Sequence, residues 1–83
     1  MIDTIRRLID EHGRLPTPAA SLAPTQDLYA AGLTSFAAVQ LMLALEEAFE
    51  LEFPERMLNR KSFASVNAIA ACIGELQPQA IAS

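Results

Sequence analysis

Apolar residues recur at helical spacing in three separate stretches of the chain. Ile2, Ile5, Leu8 and Ile9 form one stripe, with Asp3, Arg6, Arg7, Asp10 and Glu11 filling the opposite face. This pattern predicts an amphipathic first helix over residues 2–13, stopped near Gly13. Asp3 with Arg7 and Arg6 with Asp10 stand at i,i+4 and are expected to pair, each for a few tenths of a kcal/mol. A run of good helix formers follows Ser35 and predicts a second helix over 35–50. Phe36, Val39, Met42, Leu45 and Phe49 form its expected core stripe, widened by Leu41, Ala44 and Ala48. Ala37, Gln40 and Leu43 are then left facing outward. Val66, Ile69, Ala70 and Ile73 return the same rhythm and predict a last helix over 66–76, with Ser65 able to cap it.

The segments between the stripes carry stop signals. Pro16, Pro18 and Pro24 forbid a continuous helix across 14–34, so a long loop is expected there. A loop of this length must be pinned or mobile, and Leu15 and Leu22 are its expected anchors. Asp27 to Ala31 predicts a short turn with Leu28 and Leu33 facing inward. Phe53-Pro54-Glu55 restarts the chain, and Pro54 suits the first position of a short third helix over 54–59. Arg56, Arg60 and Lys61 make a small basic cluster beside it, expected to pair locally with Glu52 or Glu55. Residues 78–83, beginning at Pro78, are expected to form a flexible tail after a single domain over 1–77. The expected fold is all-α: a small antiparallel four-helix bundle of three long helices and one short third helix.

Composition narrows the function. Eighty-three residues make one small domain with a modest core. The net charge of −4 argues against a nucleic-acid surface, which needs clustered basic residues. A salt-sensitive DNA affinity would be the mark of that alternative. The single cysteine, Cys72, has no internal disulfide partner. Polar residues interrupt the apolar positions of Met1 to His12, so no signal peptide is expected. No apolar stretch is long enough to span a bilayer. These features fit a reducing cytoplasm. The one histidine, His12, has no ligand set or nucleophile near it in sequence, and the one tyrosine, Tyr29, has no visible acid–base partner. Glycine-rich phosphate loops, metal-ligand clusters and internal repeats are absent from the sequence. A catalyst needs a constellation that this chain does not display.

One position remains chemically distinctive. Ser35 follows Gly32-Leu33-Thr34 and opens the second helix, where backbone N–H groups lack partners and the dipole favours negative charge. Its hydroxyl can cap those groups, as serine commonly does. Pointing outward, it could instead carry a phosphate ester in a place that suits an anion.

Asp27-Leu28, Ala31-Gly32-Leu33-Thr34-Ser35-Phe36, Val39-Gln40-Leu41, Leu45-Glu46-Glu47-Ala48-Phe49 and Phe53-Pro54 together resemble the acyl carrier protein family over nearly the whole chain. In that family a serine in a Gly-hydrophobic-Asp-Ser-Leu motif bears 4'-phosphopantetheine. Gly32, Leu33 and Ser35 match the motif; Thr34 stands where Asp is usual and Phe36 where Leu is usual. The resemblance implies a non-catalytic carrier with covalent 4'-phosphopantetheine on Ser35, holding its cargo as a thioester. It also implies a phosphopantetheinyl transferase, a loading ligase and downstream acyl-accepting enzymes as partners, and a monomer that binds neither nucleic acid nor membrane. Thr34, Phe36, Ala37, Gln40, Leu43, Arg56, Arg60 and Lys61 are the expected partner contacts. The family usually places acidic side chains on the second helix, whereas here the face beside the serine is neutral until Glu46, Glu47 and Glu50.

That departure argues against standard fatty-acid service, and the string Gly32-Leu33-Thr34-Ser35-Phe36 with Phe53-Pro54 and Leu58-Asn59-Arg60-Lys61-Ser62-Phe63 is similar to small stand-alone bacterial carriers, some of which receive amino acids from seryl-tRNA-synthetase-like ligases. Aminoacyl cargo is therefore expected ahead of fatty-acyl or polyketide cargo. The alternative from another class is a helical interaction module without a prosthetic group.

Overall fold

The computed structural model describes residues 1–77. Three α-helices carry the fold: α1 (Ile2–His12), α2 (Ser35–Phe49) and α3 (Val66–Leu76). Short 3-10 turns occupy Ala19–Ser21, Glu55–Met57 and Arg60–Phe63. The all-α expectation holds among the described residues, but the fourth helix does not form. In its place stand two single turns, separated by Leu58 and Asn59. Pro54 is extended (φ −67°, ψ 158°) and precedes the first turn instead of opening a helix. Asn59 is extended too, and its side-chain oxygen accepts from Ser62 N at 3.0 Å, so a fresh turn starts there. An Asn side chain competing for backbone N–H groups breaks a helix as readily as it caps one. The tail expected over 78–83 lies outside the described residues.

One core joins all three helices. Ile5, Leu8 and Ile9 from α1, Leu41 and Leu45 from α2, and Val66, Ile69 and Ile73 from α3 are buried together. Phe53 and Phe63 close one side, edge to face with ring centroids 5.3 Å apart. Leu22, Leu28 and Leu33 plug in from the long loop, as their spacing predicts, and Leu15 packs against the same cluster half-buried.

The long loop is pinned by polar contacts as well as by leucines. The Arg6 guanidinium donates to the carbonyls of Ala19 and Leu22. Asp10 accepts from Ala19 N at 2.8 Å. These two side chains were expected to pair with each other along α1; instead each reaches across to the loop, where unsatisfied backbone groups offer charge-assisted hydrogen bonds. Farther on, Leu28 N donates to Ala64 O at 2.7 Å and Asn67 N to Pro24 O at 3.0 Å, stitching the loop to the start of α3.

The ends of α2 and α3 follow local chemistry. Ser65 caps α3, accepting from Ala68 N at 3.0 Å. At the C-terminus of α2, Leu51 N bonds Glu46 O and Glu50 N bonds Glu47 O, with Glu50 left-handed at φ 52°. This is the Schellman arrangement, with Glu in a place that usually takes glycine.

Candidate functional site

The chain reaches α2 through a tightly specified turn. Asp27 Oδ1 accepts from Tyr29 N at 2.9 Å, while Leu28 and Leu33 bury their side chains on either side. Between them Gly32 adopts φ +122°, a conformation that side-chain-bearing residues rarely take, and a Cβ there would stand 3.2 Å from Pro16 Cδ. The two buried leucines and this turn fix where α2 begins.

Thr34, and not Ser35, is the cap. Its Oγ1 accepts from Ala37 N at 3.0 Å, and its backbone is extended. Ser35 is therefore the first residue of the helix proper, and it is exposed. Its hydroxyl is released from capping by its neighbour. The oxygen stands at the positive end of a 15-residue helix, where a phosphate ester's charge is favoured.

The outward face of α2 differs from the expected one. Ala37 is 2% exposed and faces the core together with Ala38, Leu41 and Leu45. It cannot contact a partner, which corrects the reading that placed it outside. Phe36 and Val39, expected in the core stripe, are instead 64% and 49% exposed. Gln40 and Leu43 do face outward, so Phe36, Gln40 and Leu43 form one surface stripe a turn apart. The start of α2 departs from the expected face, while Leu41 and Leu45 are buried as the stripe predicts; α2 is apolar nearly all round, so the pattern there left the choice open. The small Ala37 and Ala38 let the helix approach the core closely, and that approach turns Phe36 and Val39 toward solvent.

A groove of about 380 Å³ opens beside Ser35. Val39 and Met42 line it from α2, Leu58 from between the paired turns, Phe63 and Arg60 from the second of them, and Tyr29 from the loop before α2. Arg60 lies over the Tyr29 ring at 4.0 Å from its centroid, within cation–π range. Burial pushes the Tyr29 hydroxyl above its ordinary pKa, the Arg60 charge opposes that rise, and Asp27 adds to it.

The rest of the basic cluster divides. Arg56 pairs with Glu75 of α3 at 2.9 Å, not with Glu52 or Glu55. Both side chains are more than half exposed, so this pair adds little stability. Lys61 is exposed. Of the acidic residues at the far end of α2, Glu46 is spent internally, accepting from Phe53 N at 2.9 Å, which leaves Glu47 and Glu50 exposed. Tyr29, Met42 and Leu58 are site residues that sequence reasoning missed. They meet only through the path of the loop, and no local motif marks them.

The geometry fits a covalently attached arm: an exposed hydroxyl, a helix N-terminus for the phosphate, and an adjoining apolar groove. Comparison with known proteins decides the family. The phosphopantetheine attachment site model matches residues 3–73. The chain belongs to that family. It is a non-catalytic carrier, and the family's arm is covalent 4'-phosphopantetheine.

This carrier is 62% identical over 66 residues to the aminoacyl carrier protein of Agrobacterium fabrum (strain C58 / ATCC 33970), covering 80% of each chain. It also matches a chain in the crystal structure of engineered Bradyrhizobium japonicum glycine:[carrier protein] ligase complexed with carrier protein from Agrobacterium tumefaciens and AMP. That match has 57% identity and a TM-score of 0.86, over 88% of this chain and 97% of the other. The B. japonicum ligase complexed with glycylated carrier protein gives a further match at 27% identity and a TM-score of 0.73, over 86% of this chain and 95% of the other. Among the described residues no helix is long and apolar enough to cross a membrane.

Proposed function

We propose that Ser35 Oγ is the attachment atom for 4'-phosphopantetheine and that the cargo is a small amino acid, glycine foremost. The observation that carries the first part is the division of labour at the start of α2: Thr34 caps, and Ser35 is left exposed and unengaged. The second part rests on the aminoacyl carrier relative and on the glycine ligase complexes.

Each residue has a physical task. A phosphopantetheinyl transferase needs an accessible hydroxyl, and this one is exposed between the exposed chain neighbours Thr34 and Phe36. The exposed first-turn backbone and the helix dipole hold the phosphodiester charge. When attached, the arm supplies a terminal thiol that holds the aminoacyl group as a thioester. Phe36, Gln40 and Leu43 offer a loading ligase a small, neutral and partly apolar surface, and Thr34 borders it. Arg56, Arg60 and Lys61 lie on the paired turns as further contacts, where exposed charges tune recognition more than affinity. The ligase is of the seryl-tRNA-synthetase-like kind, and downstream enzymes take the acyl group from the monomeric carrier.

The test has two stages. Incubation with coenzyme A and a broad-specificity transferase should add one arm, and peptide mapping should place it on Ser35. The holo protein should then accept glycine from a glycine:carrier-protein ligase with ATP, and should not accept malonyl groups from a malonyl transferase. An arm at another position rejects the attachment assignment; malonyl transfer alone rejects the aminoacyl cargo.

A further inference from the structure

The groove beside Ser35 has a chemical asymmetry. Its walls are apolar, yet one residue that lines it carries a cation. Arg60 is the charged residue among those that line it, and among the described residues no carboxylate stands within ion-pair distance of its guanidinium. The nearest acidic influence there, Asp27, has its Oδ1 occupied by the amides of Tyr29 and Ala30. Arg60 is also held in place, since its guanidinium carbon lies over the Tyr29 ring, 4.0 Å from the centroid.

Ser35, Val39 and Met42 stand at i, i+4 and i+7, so one wall of the groove runs from the attachment atom along a single face of α2. An arm leaving Ser35 Oγ can lie along this wall with its apolar and amide portions against Val39, Met42 and Leu58. Arg60 lines the same groove and so faces an arm that settles there. An uncharged acyl group gains burial there. An aminoacyl group brings a protonated amine, because α-amino groups titrate near pH 7.7–8.0, and meets a like charge on the exposed guanidinium that lines the groove.

We propose that Arg60, stacked on Tyr29, is a cargo-sorting residue: it lets an unloaded or neutrally acylated arm settle in the groove and expels the arm when it carries a cationic aminoacyl group. Loading with an amino acid thus exposes the thioester for delivery, while the empty arm is sheltered. This rests on the attachment of the arm to Ser35.

Methyl NMR of the intact protein tests it. The arm is installed in four forms: absent, with a free thiol, with a glycyl group and with a propionyl group, the last two through hydrolysis-resistant amide linkages. Propionyl has the shape of glycyl with a methyl in place of the ammonium. Intact mass and peptide mapping first establish that the arm sits on Ser35, which separates failure of the attachment assignment from failure of the sorting idea. At pH 6.5 the methyl signals of Val39, Met42 and Leu58 should shift with the thiol and propionyl arms and return toward their arm-free positions with the glycyl arm. The expected difference in occupancy is about two- to fivefold, as one exposed like-charge contact brings. Arg60→Gln should let the glycyl arm in, and Arg60→Lys, which keeps the charge, should still exclude it. Equal shifts from glycyl and propionyl arms, methyls unmoved by any arm, or a glycyl arm admitted by Arg60→Lys would overturn the proposal.

Discussion

At the residue scale, a threonine placed one position before the attachment serine changes what substitutions there should do. Thr34 Oγ1 makes the capping bond to Ala37 N. Thr34→Ala should therefore cost about 1 kcal/mol of stability in urea unfolding while leaving the modification site intact. Ser35→Ala should do the reverse, abolishing the mass increase on treatment with transferase and changing stability by less than about 0.5 kcal/mol. Tyr29 permits a second measurement, because it is the single tyrosine in a chain without tryptophan. Ultraviolet titration near 295 nm reads it alone. Burial raises its pKa and Arg60 lowers it, so Arg60→Gln should move the titration further alkaline. The sign for stability follows from proton binding. Above the unfolded pKa of about 10, the folded state holds the proton more tightly than the unfolded state. This contribution is therefore complete below that pH and is lost as pH rises through the folded value.

At the element scale, α1 and α3 were legible from sequence because each has one clear apolar stripe and a marked terminus. Ser65 read as a cap and is one; Leu28 and Leu33 read as inward and are buried. The second helix was legible in extent and in the facing of Leu41, Leu45, Gln40 and Leu43, but not at its start. A helix apolar on most sides gives periodicity no purchase there, and the choice fell to packing, which favoured the two alanines over Phe36 and Val39. The short third element failed for a different reason: Asn59 offers a side-chain bond that restarts the chain, and propensity alone does not weigh that competition. The contacts of Arg6 and Asp10 with the loop span 9 to 16 residues, beyond any helical spacing rule. The C-terminus of α2 gives this scale its prediction. Glu50 sits at φ 52° without the freedom of glycine. Glu50→Gly should stabilise the protein by about 0.5–1 kcal/mol, since the relief of left-handed strain exceeds the added unfolded-state entropy. A urea midpoint that falls instead would show that the Glu50 side chain contributes something the backbone geometry does not.

At the scale of the whole molecule, the same few residues must both hold the fold and free a surface for partners. The core is a single cluster in which Leu45 is fully buried and contacts run from all three helices. Leu43, two positions earlier, is half exposed on the opposite side of α2. This pair separates stability from docking. Leu45→Ala should cost about 2–5 kcal/mol, a large share of what so small a domain has. Leu43→Ala should leave the urea midpoint nearly unchanged, yet weaken aminoacylation of the holo protein by its ligase. The electrostatics sharpen this expectation. Carriers with an acidic second helix draw basic enzymes by charge, and such attraction fades as salt shortens the screening length from roughly 10 Å at 0.1 M to roughly 3 Å at 1 M. Here the face of α2 beside Ser35 is neutral, with Phe36, Val39, Gln40 and Leu43 exposed on it, and the exposed carboxylates Glu47 and Glu50 lie more than three turns from the serine, at the far end of α2. Loading kinetics should therefore show KM rising only weakly with salt and strongly with Leu43→Ala or Phe36→Ala, with kcat little changed, because the lost contact serves docking and not chemistry. A steep rise of KM with salt, with no effect of either apolar truncation, would place recognition on the charged residues of α2 and of the paired turns instead.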